Sequence, residues 1–206
     1  MVKLSKAAVA ANLAKAKASR IAKAKDVMWK CGIKNASFDE DGIISIDGSI
    51  NIKSAMVYSG KFLVKFGMVS GNFDCADVGL RYLDGAPHEV GGTFDCRSNK
   101  IASLKGGPVK VGGDYWCAKN LLHSLKGSPE VVPGLFSCYS NQIVNLKGCP
   151  VKVGKSFNCS SNSIASFEFA PEEVGGNFYA TDNKNFFTVL DIAMHCVVNG
   201  DIILGI

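Results

Sequence analysis

A repeat of 21 residues is the feature that most constrains what this chain can fold into. Valine recurs at that spacing without insertion or deletion, at Val69, Val90, Val111, Val132, Val153 and Val174. The fourth residue after each valine is aromatic: Phe73, Phe94, Tyr115, Phe136, Phe157 and Phe178. Two residues later comes a small side chain: Cys75, Cys96, Cys117, Cys138, Cys159 and Ala180. A short, fixed period predicts stacked coils that each contact only their neighbours.

Proline and glycine predict strands and bends within each unit. Proline lies 18 residues after the valine, at Pro87, Pro108, Pro129, Pro150 and Pro171. Glycine pairs such as Gly91–Gly92 precede the aromatic residue, and this combination excludes a long helix in each unit. We therefore predict one short strand per coil, aromatic-x-Cys, followed by bends and an extended return. Side chains alternate across a strand, so the aromatic and the cysteine should point inward.

Asparagine and cysteine also recur in register with the valine. Asparagine lies nine residues after it, at Asn99, Asn120, Asn141, Asn162 and Asn183, where an amide can satisfy backbone groups of its own and adjacent coils. The eight cysteines include no C-x-x-C pair, so a zinc site of ordinary spacing is not indicated. A small apolar side chain in the core explains the cysteine row. We expect no metal and no cofactor.

The order aromatic-x-Cys-x-x-Asn-x-Ile, with Leu three residues later and Pro four beyond, resembles the leucine-rich repeat pattern L-x-L-x-x-N-x-L. It is most similar to the short, helix-free bacterial repeats of type III effectors and to repeats in tailed-phage proteins, over residues 69–185. Phe and Cys stand where that family has Leu. The resemblance implies a mainly β, single-stranded-per-coil leucine-rich repeat solenoid with a parallel strand ladder. It also implies that the strand-lined face binds the partner.

The two ends of the chain depart from the repeat. Residues 1–42 are predicted to form a basic helix and connector, and residues 43–68 a degenerate capping coil in which Ile46, Ile50 and Ile52 keep the repeat spacing. Residues 186–206 should form the C-terminal cap, with a helix over Phe186–Val198. No apolar run of transmembrane length and no secretory signal are found, which predicts a soluble, cytoplasmic protein, inside a host cell if viral. A virion is the alternative location.

The N-terminal segment carries the excess positive charge of the chain. Residues 1–30 contain eight of the 23 Lys and Arg side chains, and their only acid is Asp26. Rich in Ala and Lys, Val2–Lys30 is predicted to be a helix with an approximate apolar stripe, which would cap the solenoid. The alternative is that its cations bind phosphates of nucleic acid or of an anionic surface without sequence specificity. The candidate contacts are Lys15, Lys17, Arg20, Lys23 and Lys25.

The outward side of the strands varies, unlike the inward side, and carries several aromatic residues. Trp, Tyr and Arg are the side chains enriched at binding hot spots. The predicted partner-binding residues are Asp95, Arg97, Asp114, Trp116, Leu135, Tyr139 and Tyr179, with Trp116 beside Arg97 at the centre. The alternative is that neighbouring side chains on this face only pack on one another.

No reactive constellation accompanies this face. The three histidines, His88, His123 and His195, are scattered and share no repeat position with a nucleophile and a carboxylate. We therefore predict a non-enzymatic module that binds a partner protein, a host protein if the chain comes from a phage. One alternative is a structural component of a virus particle or other assembly. The second is nucleic-acid binding through the N-terminal helix.

Overall fold

Each repeat unit forms one coil, and each coil contains two short strands where the sequence predicted one. In the computed structural model, which describes residues 5–205, one coil has strands at Glu89–Val90 and Phe94–Asp95, separated by Gly91, Gly92 and Thr93. A strand of two residues is too short for the alternation of apolar and polar side chains to be recognised in the sequence. The valine segment is a strand because it pairs with the valines of adjacent coils, as Val90 does with Val69 and Val111.

The strands are numbered β1 to β19 along the chain, and they follow helix α1 (Lys6–Lys30). The opening coils contain a 3-10 turn at Ser54–Met56 and seven strands: β1 (Ala36–Phe38), β2 (Ile44–Ile46), β3 (Ile50–Asn51), β4 (Val57–Tyr58), β5 (Lys61–Phe62), β6 (Phe66–Val69) and β7 (Phe73–Asp74). The regular coils contain β8 (Glu89–Val90), β9 (Phe94–Asp95), β10 (Lys110–Val111), β11 (Tyr115–Trp116), β12 (Val131–Val132), β13 (Phe136–Ser137), β14 (Lys152–Val153), β15 (Phe157–Asn158), β16 (Glu173–Val174) and β17 (Phe178–Tyr179). The last elements are α2 (Val189–Ala193), β18 (Val197–Val198) and β19 (Ile202–Ile203).

One parallel sheet of eight strands, here called the long sheet, runs in the order β3-β7-β9-β11-β13-β15-β17-β19. Its aromatic residues are in register, as Tyr115 pairs with Phe94 and Phe136. The valine strands form two sheets, β1-β2-β6-β8-β10 and β12-β14-β16-β18. The break between β10 and β12 coincides with Pro133. In adjacent coils the residue after the valine donates its N–H to the preceding valine, as Gly112 does to Val90, and proline has no N–H.

The inward side of the long sheet forms a continuous core. Neighbouring aromatic rings from Phe73 to Phe178 have centroids 5.0 to 5.8 Å apart. The five cysteines that follow them are buried, and so is Ala180. Burying each large apolar side chain stabilises the stack by roughly 1.5–3 kcal/mol, although no single coil could fold alone. The predicted inward orientation of the aromatics and cysteines is confirmed.

The asparagines join adjacent coils through hydrogen bonds to the backbone. The Nδ2 of Asn120 donates to the carbonyl oxygens of Cys96 at 3.0 Å and Cys117 at 3.2 Å. Its Oδ1 accepts the N–H of Ile101 at 3.0 Å. The residue before each asparagine has a positive φ between 53° and 56°, as at Lys119, which turns the chain at this point. The predicted structural role of the asparagines is confirmed.

Helix α1 covers the first coils with its second half only. Ala24, Val27 and Met28 are buried, whereas Val9 and Leu13 are about half exposed. The helix backbone is so close to Gly42 that a side-chain carbon there would lie 3.0 Å from the Ile21 nitrogen. The predicted apolar stripe of α1 therefore packs on the solenoid only along the C-terminal turns of the helix. The predicted start of the helix, Val2–Leu4, lies outside the described residues.

At the other end, the predicted helix over Phe186–Val198 is too long. Helix α2 spans only Val189–Ala193, and Val197–Val198 is strand β18. Val198 pairs with Val174, and Ile202 pairs with Phe178, so the segment completes one more, longer coil. Pairing with the preceding coil prevails over local helix formation. No helix within residues 5–205 combines the length and the apolar character needed to cross a bilayer.

Candidate functional site

The outward side of the long sheet presents one side chain per coil between the aromatic residue and the cysteine. These residues, here called the outer row, pair with one another in the order Asn51, Asp74, Asp95, Trp116, Ser137, Asn158, Tyr179 and Ile203. Adjacent members lie about 4.8 Å apart along the sheet. The row changes from acidic to aromatic to polar, so the stacking of coils does not determine its chemistry.

An arginine, Arg97, is held in place beside the centre of the outer row. Arg97 Nε donates to Asp95 Oδ1 at 3.0 Å, and Nη2 donates to Asp95 Oδ2 at 2.7 Å. The guanidinium carbon lies 4.5 Å from the centre of the Trp116 ring. The hydrogen bonds to Asp95 raise the pKa of Arg97. The structure therefore brings together three predicted binding residues, with Arg97 fixed by a two-pronged ion pair and a cation–π contact.

Tyr139 and Ser137 extend the site toward the C-terminus. Lys119 Nζ lies 5.8 Å from the centre of the half-buried Tyr139 ring. Ser137 is on the outward side, yet it is only 1% exposed, so larger neighbours cover it. Its Oγ makes no hydrogen bond within the described residues. The centre of the outward side is thus a partly desolvated surface.

Asp114 and Leu135 take part in a second ladder of hydrogen bonds between coils, in addition to the asparagine ladder. Asp114 Oδ1 accepts the N–H of Leu135 at 2.8 Å. The oxygen of a polar side chain at the same repeat position accepts the equivalent N–H of the next coil in other units, as Asn72 does for Thr93. The available signal was a polar residue three places after the valine in every unit except the one with Leu135. Asp114 therefore holds coils together, and Leu135 is half-buried beside it.

Tyr179 lies apart from the central residues. Ser137 and Asn158 separate it from Trp116 in the outer row, a distance of about 14 Å at the usual strand spacing. Its hydroxyl oxygen accepts a hydrogen bond from Asn177 Nδ2 at 3.1 Å. One small ligand group could not contact both aromatic residues, whereas a protein surface could span them.

The cations of α1 have different surroundings. Lys17 Nζ lies 3.4 Å from Glu40 and 3.3 Å from Asp41, and hydrogen bonds to Asp41 and then Glu40 raise its pKa. Lys25 Nζ lies 5.9 Å from the centre of the Phe38 ring. Lys15, Arg20 and Lys23 are exposed. The five candidates therefore do not form one uniform patch, because the charge of Lys17 is already neutralised.

The buried cysteines are poorly suited to act as nucleophiles or ligands. Burial raises the pKa of Cys149 to about 12 and that of Cys196 to about 11. Burial also raises the pKa of Cys75, Cys117 and Cys159 well above its usual range. Thiols that keep their protons are unreactive at neutral pH. Within residues 5–205, no group of three His, Cys, Asp or Glu side chains is arranged to hold a metal ion.

The fold defines the chain as a mainly β solenoid of about eight turns with a helix at its N-terminal end. Comparison with protein-family models, with curated proteins and with solved structures found no match. Membership of the leucine-rich repeat family stays a prediction, carried by the spacing of the aromatic, cysteine and asparagine positions.

Proposed function

We propose that this solenoid is a non-enzymatic module that binds a partner protein through the outward side of the long sheet. The observation that supports this function best is the arrangement of Asp95, Arg97 and Trp116. Arg97 is held by both oxygens of Asp95 and by the Trp116 ring, so little side-chain freedom remains to be lost on binding. Arginine and tryptophan are also among the side chains that most often dominate binding energy.

Arg97 keeps hydrogen-bonding capacity for a partner. Its side chain is 39% exposed, and Nη1 makes no hydrogen bond within the described residues. A backbone carbonyl or carboxylate of the partner would accept this free N–H, while the Trp116 and Tyr139 rings supply apolar area. The similarity of the repeat to tailed-phage proteins makes a host protein in the cytoplasm the first class of partner to test.

The test compares capture by three full-length proteins in lysate of the source or host cells. The wild type, Trp116→Ala/Tyr139→Ala and Trp29→Ala are immobilised and cross-linked, and bound proteins are identified by mass spectrometry. Trp29 is the matched control because it is 81% exposed on α1, away from the long sheet. A stoichiometric partner kept by the wild type and by Trp29→Ala but reduced about tenfold by the double variant supports the proposal. Equal capture by all three contradicts it.

A structural role in a particle or assembly is the second candidate, and the first half of α1 favours it. Val9 and Leu13 stay half exposed while the second half of the helix packs on the solenoid. Such a segment suits attachment, with the solenoid as a spacer. Deleting residues 1–15 should then abolish incorporation into particles, while Trp116→Ala/Tyr139→Ala incorporates normally. Normal incorporation of the deletion variant would exclude this role.

A further inference from the structure

Three lysines are stacked along one edge of the solenoid, far from the outer row in the repeat. The residue 15 places after each valine is exposed in five successive coils, in the order Asp84, Lys105, Lys126, Lys147 and Glu168. The following glycine lies against this residue of the preceding coil: a side-chain carbon at Gly127 would be 2.8 Å from the Lys105 nitrogen. The edge is therefore a single file of long side chains beside bare backbone.

Like charges lie next to each other at this repeat position, whereas opposite charges lie next to each other at another position of the same repeat. One place before the valine, Lys110 Nζ lies 3.6 Å from Glu89 and Lys152 Nζ lies 2.6 Å from Glu173, each pair joining adjacent coils. Lys105, Lys126 and Lys147 make no ion pair with any carboxylate of residues 5–205. The three lysines lie in turns of adjacent coils, about 4.8 Å apart along the stack, and like charges at that spacing repel one another. An anionic ligand would relieve this repulsion.

The file continues toward the basic helix. Lys65 occupies the equivalent place in the preceding coil, since a side-chain carbon at Gly85 would lie 3.8 Å from its Cα. Lys65 also lines one groove together with Arg20 and Lys23 of α1. We call Arg20, Lys23, Lys65, Lys105, Lys126 and Lys147 the basic edge. From Lys65 to Lys147 it spans four coil steps, about 19 Å. Asp84 lies within this span, Asp41 also lines the groove beside Arg20 and Lys23, and Glu168 ends the file.

An exposed aromatic residue lies at each end of the row formed by Lys105, Lys126 and Lys147. Tyr82 is 48% exposed, lines a shallow groove with Lys105, and has Lys61 Nζ 5.1 Å from its ring centre. Phe169 is 40% exposed and has Lys147 Nζ 5.6 Å from its ring centre. Cations in a line with accessible rings at their ends are the elements that single-stranded nucleic acid uses, phosphates on the cations and bases on the rings.

We propose that the basic edge binds single-stranded nucleic acid through its phosphate backbone, with Tyr82 and Phe169 stacking on bases. The single-file arrangement fits a narrow polyanion better than a flat anionic membrane. Exposed rings favour a single strand because the bases of a duplex are already stacked. Phosphate contacts carry no sequence information, so binding is independent of sequence and weakens as salt rises. This surface is separate from the outward side of the long sheet, and either proposal can fail alone.

The test measures binding of a fluorescent oligo(dT) strand of about 20 nucleotides, longer than the roughly 4–16 nucleotides that one such groove occupies. Anisotropy is recorded for full-length protein between about 50 and about 200 mM salt. The variant Lys105→Glu/Lys126→Glu/Lys147→Glu is compared with Lys34→Glu/Lys155→Glu/Lys184→Glu. The control reverses three exposed lysines that lie at unrelated repeat positions, so the net charge of the two variants is equal. Urea midpoints equal to that of the wild type show that both variants are folded.

We expect the edge variant to bind at least about tenfold more weakly, with a salt dependence shallower by about 2 in log–log slope, since each lost phosphate contact removes about 0.7. The control should bind almost as the wild type does. Tyr82→Ala/Phe169→Ala should weaken binding about tenfold without changing the slope, because it removes stacking alone. No binding by the wild type at about 50 mM salt, equal losses in both charge variants, or preference for a duplex of the same length would each overturn the proposal.

Discussion

The two sides of the long sheet differ in what repeats along them. Inward, an aromatic ring and a small side chain recur in every regular coil, and all are buried. Outward, each coil presents a different group, and the neighbours Tyr115 and Trp116 of one strand show the contrast. Tyr115 lies between the Phe94 and Phe136 rings, while the Trp116 ring makes a cation–π contact with Arg97. Packing between coils determines which side chains point inward, whereas the outward side chains are not constrained by it and can contact a ligand.

The largest expected effect is on the inward side. Phe136→Ala should lower the free energy of unfolding by about 3–5 kcal/mol, because it opens a cavity between two stacked rings. Urea unfolding followed by circular dichroism measures it. Phe186→Ala is the matched control, since Phe186 is 96% exposed, and it should change stability by less than about 0.5 kcal/mol. Similar losses for both would show that the ring stack does not hold the coils.

Two asparagines, one that joins coils and one in the outer row, should differ less in their effect on the free energy of unfolding. Asn120→Ala should cost about 2–3 kcal/mol, because the buried Ile101 N–H loses its acceptor and the Cys96 carbonyl keeps only the amide donor of Asn99. Among the described residues, the side chain of Asn158 in the outer row accepts only the Ser160 N–H, so Asn158→Ala should cost less than about 1 kcal/mol. The same unfolding measurement compares them. A larger loss at Asn158 would contradict the assigned roles.

The contact between Tyr115 and Gly107 tests the packing of the core at a single pair of residues. Tyr115 is the one tyrosine among the stacked aromatics, and its hydroxyl has no hydrogen-bond partner among the described residues. The hydroxyl lies 3.3 Å from where a side-chain carbon of Gly107 would be, and other coils have a larger residue there. Gly107→Ala should therefore cost about 1–2 kcal/mol alone and about 1 kcal/mol less in the presence of Tyr115→Phe. Additive effects in the double-mutant cycle would show that the two positions are independent.

The period alone was enough to predict the solenoid and its inward residues, because 21-residue spacing places Phe94 beside Tyr115 whatever the shape of the coil. It could not reveal the valine strands, which exist only through pairing between coils. Nor could it show that the second half of α1 packs while Val9 and Leu13 stay exposed. The spacing of Lys105, Lys126 and Lys147 did contain the basic edge. The spacing indicates a basic edge only together with the contacts of the following glycines, which show that the three side chains lie in one file.

The same coil geometry explains why the predicted binding residues separate into groups. Arg97 and Trp116 come together because Trp116 pairs with Asp95 of the adjacent strand, and Arg97, two residues after Asp95, is hydrogen-bonded to that carboxylate. Asp114, by contrast, bonds the backbone of the next coil, and only the three-dimensional arrangement shows that contact. Sequence periodicity assigns a side to each residue, whereas hydrogen bonds decide which of the outward residues remain available to a partner.

The most direct test of this division between the two sides is the unfolding of Trp116→Ala in urea. The account predicts a loss of at most about 1 kcal/mol, the value of an exposed cation–π contact, because Trp116 contributes to a surface and not to the core. A loss of about 3 kcal/mol or more, comparable with that of Phe136→Ala, would contradict the account. It would show that the outward aromatics hold the sheet together and are not kept for a partner.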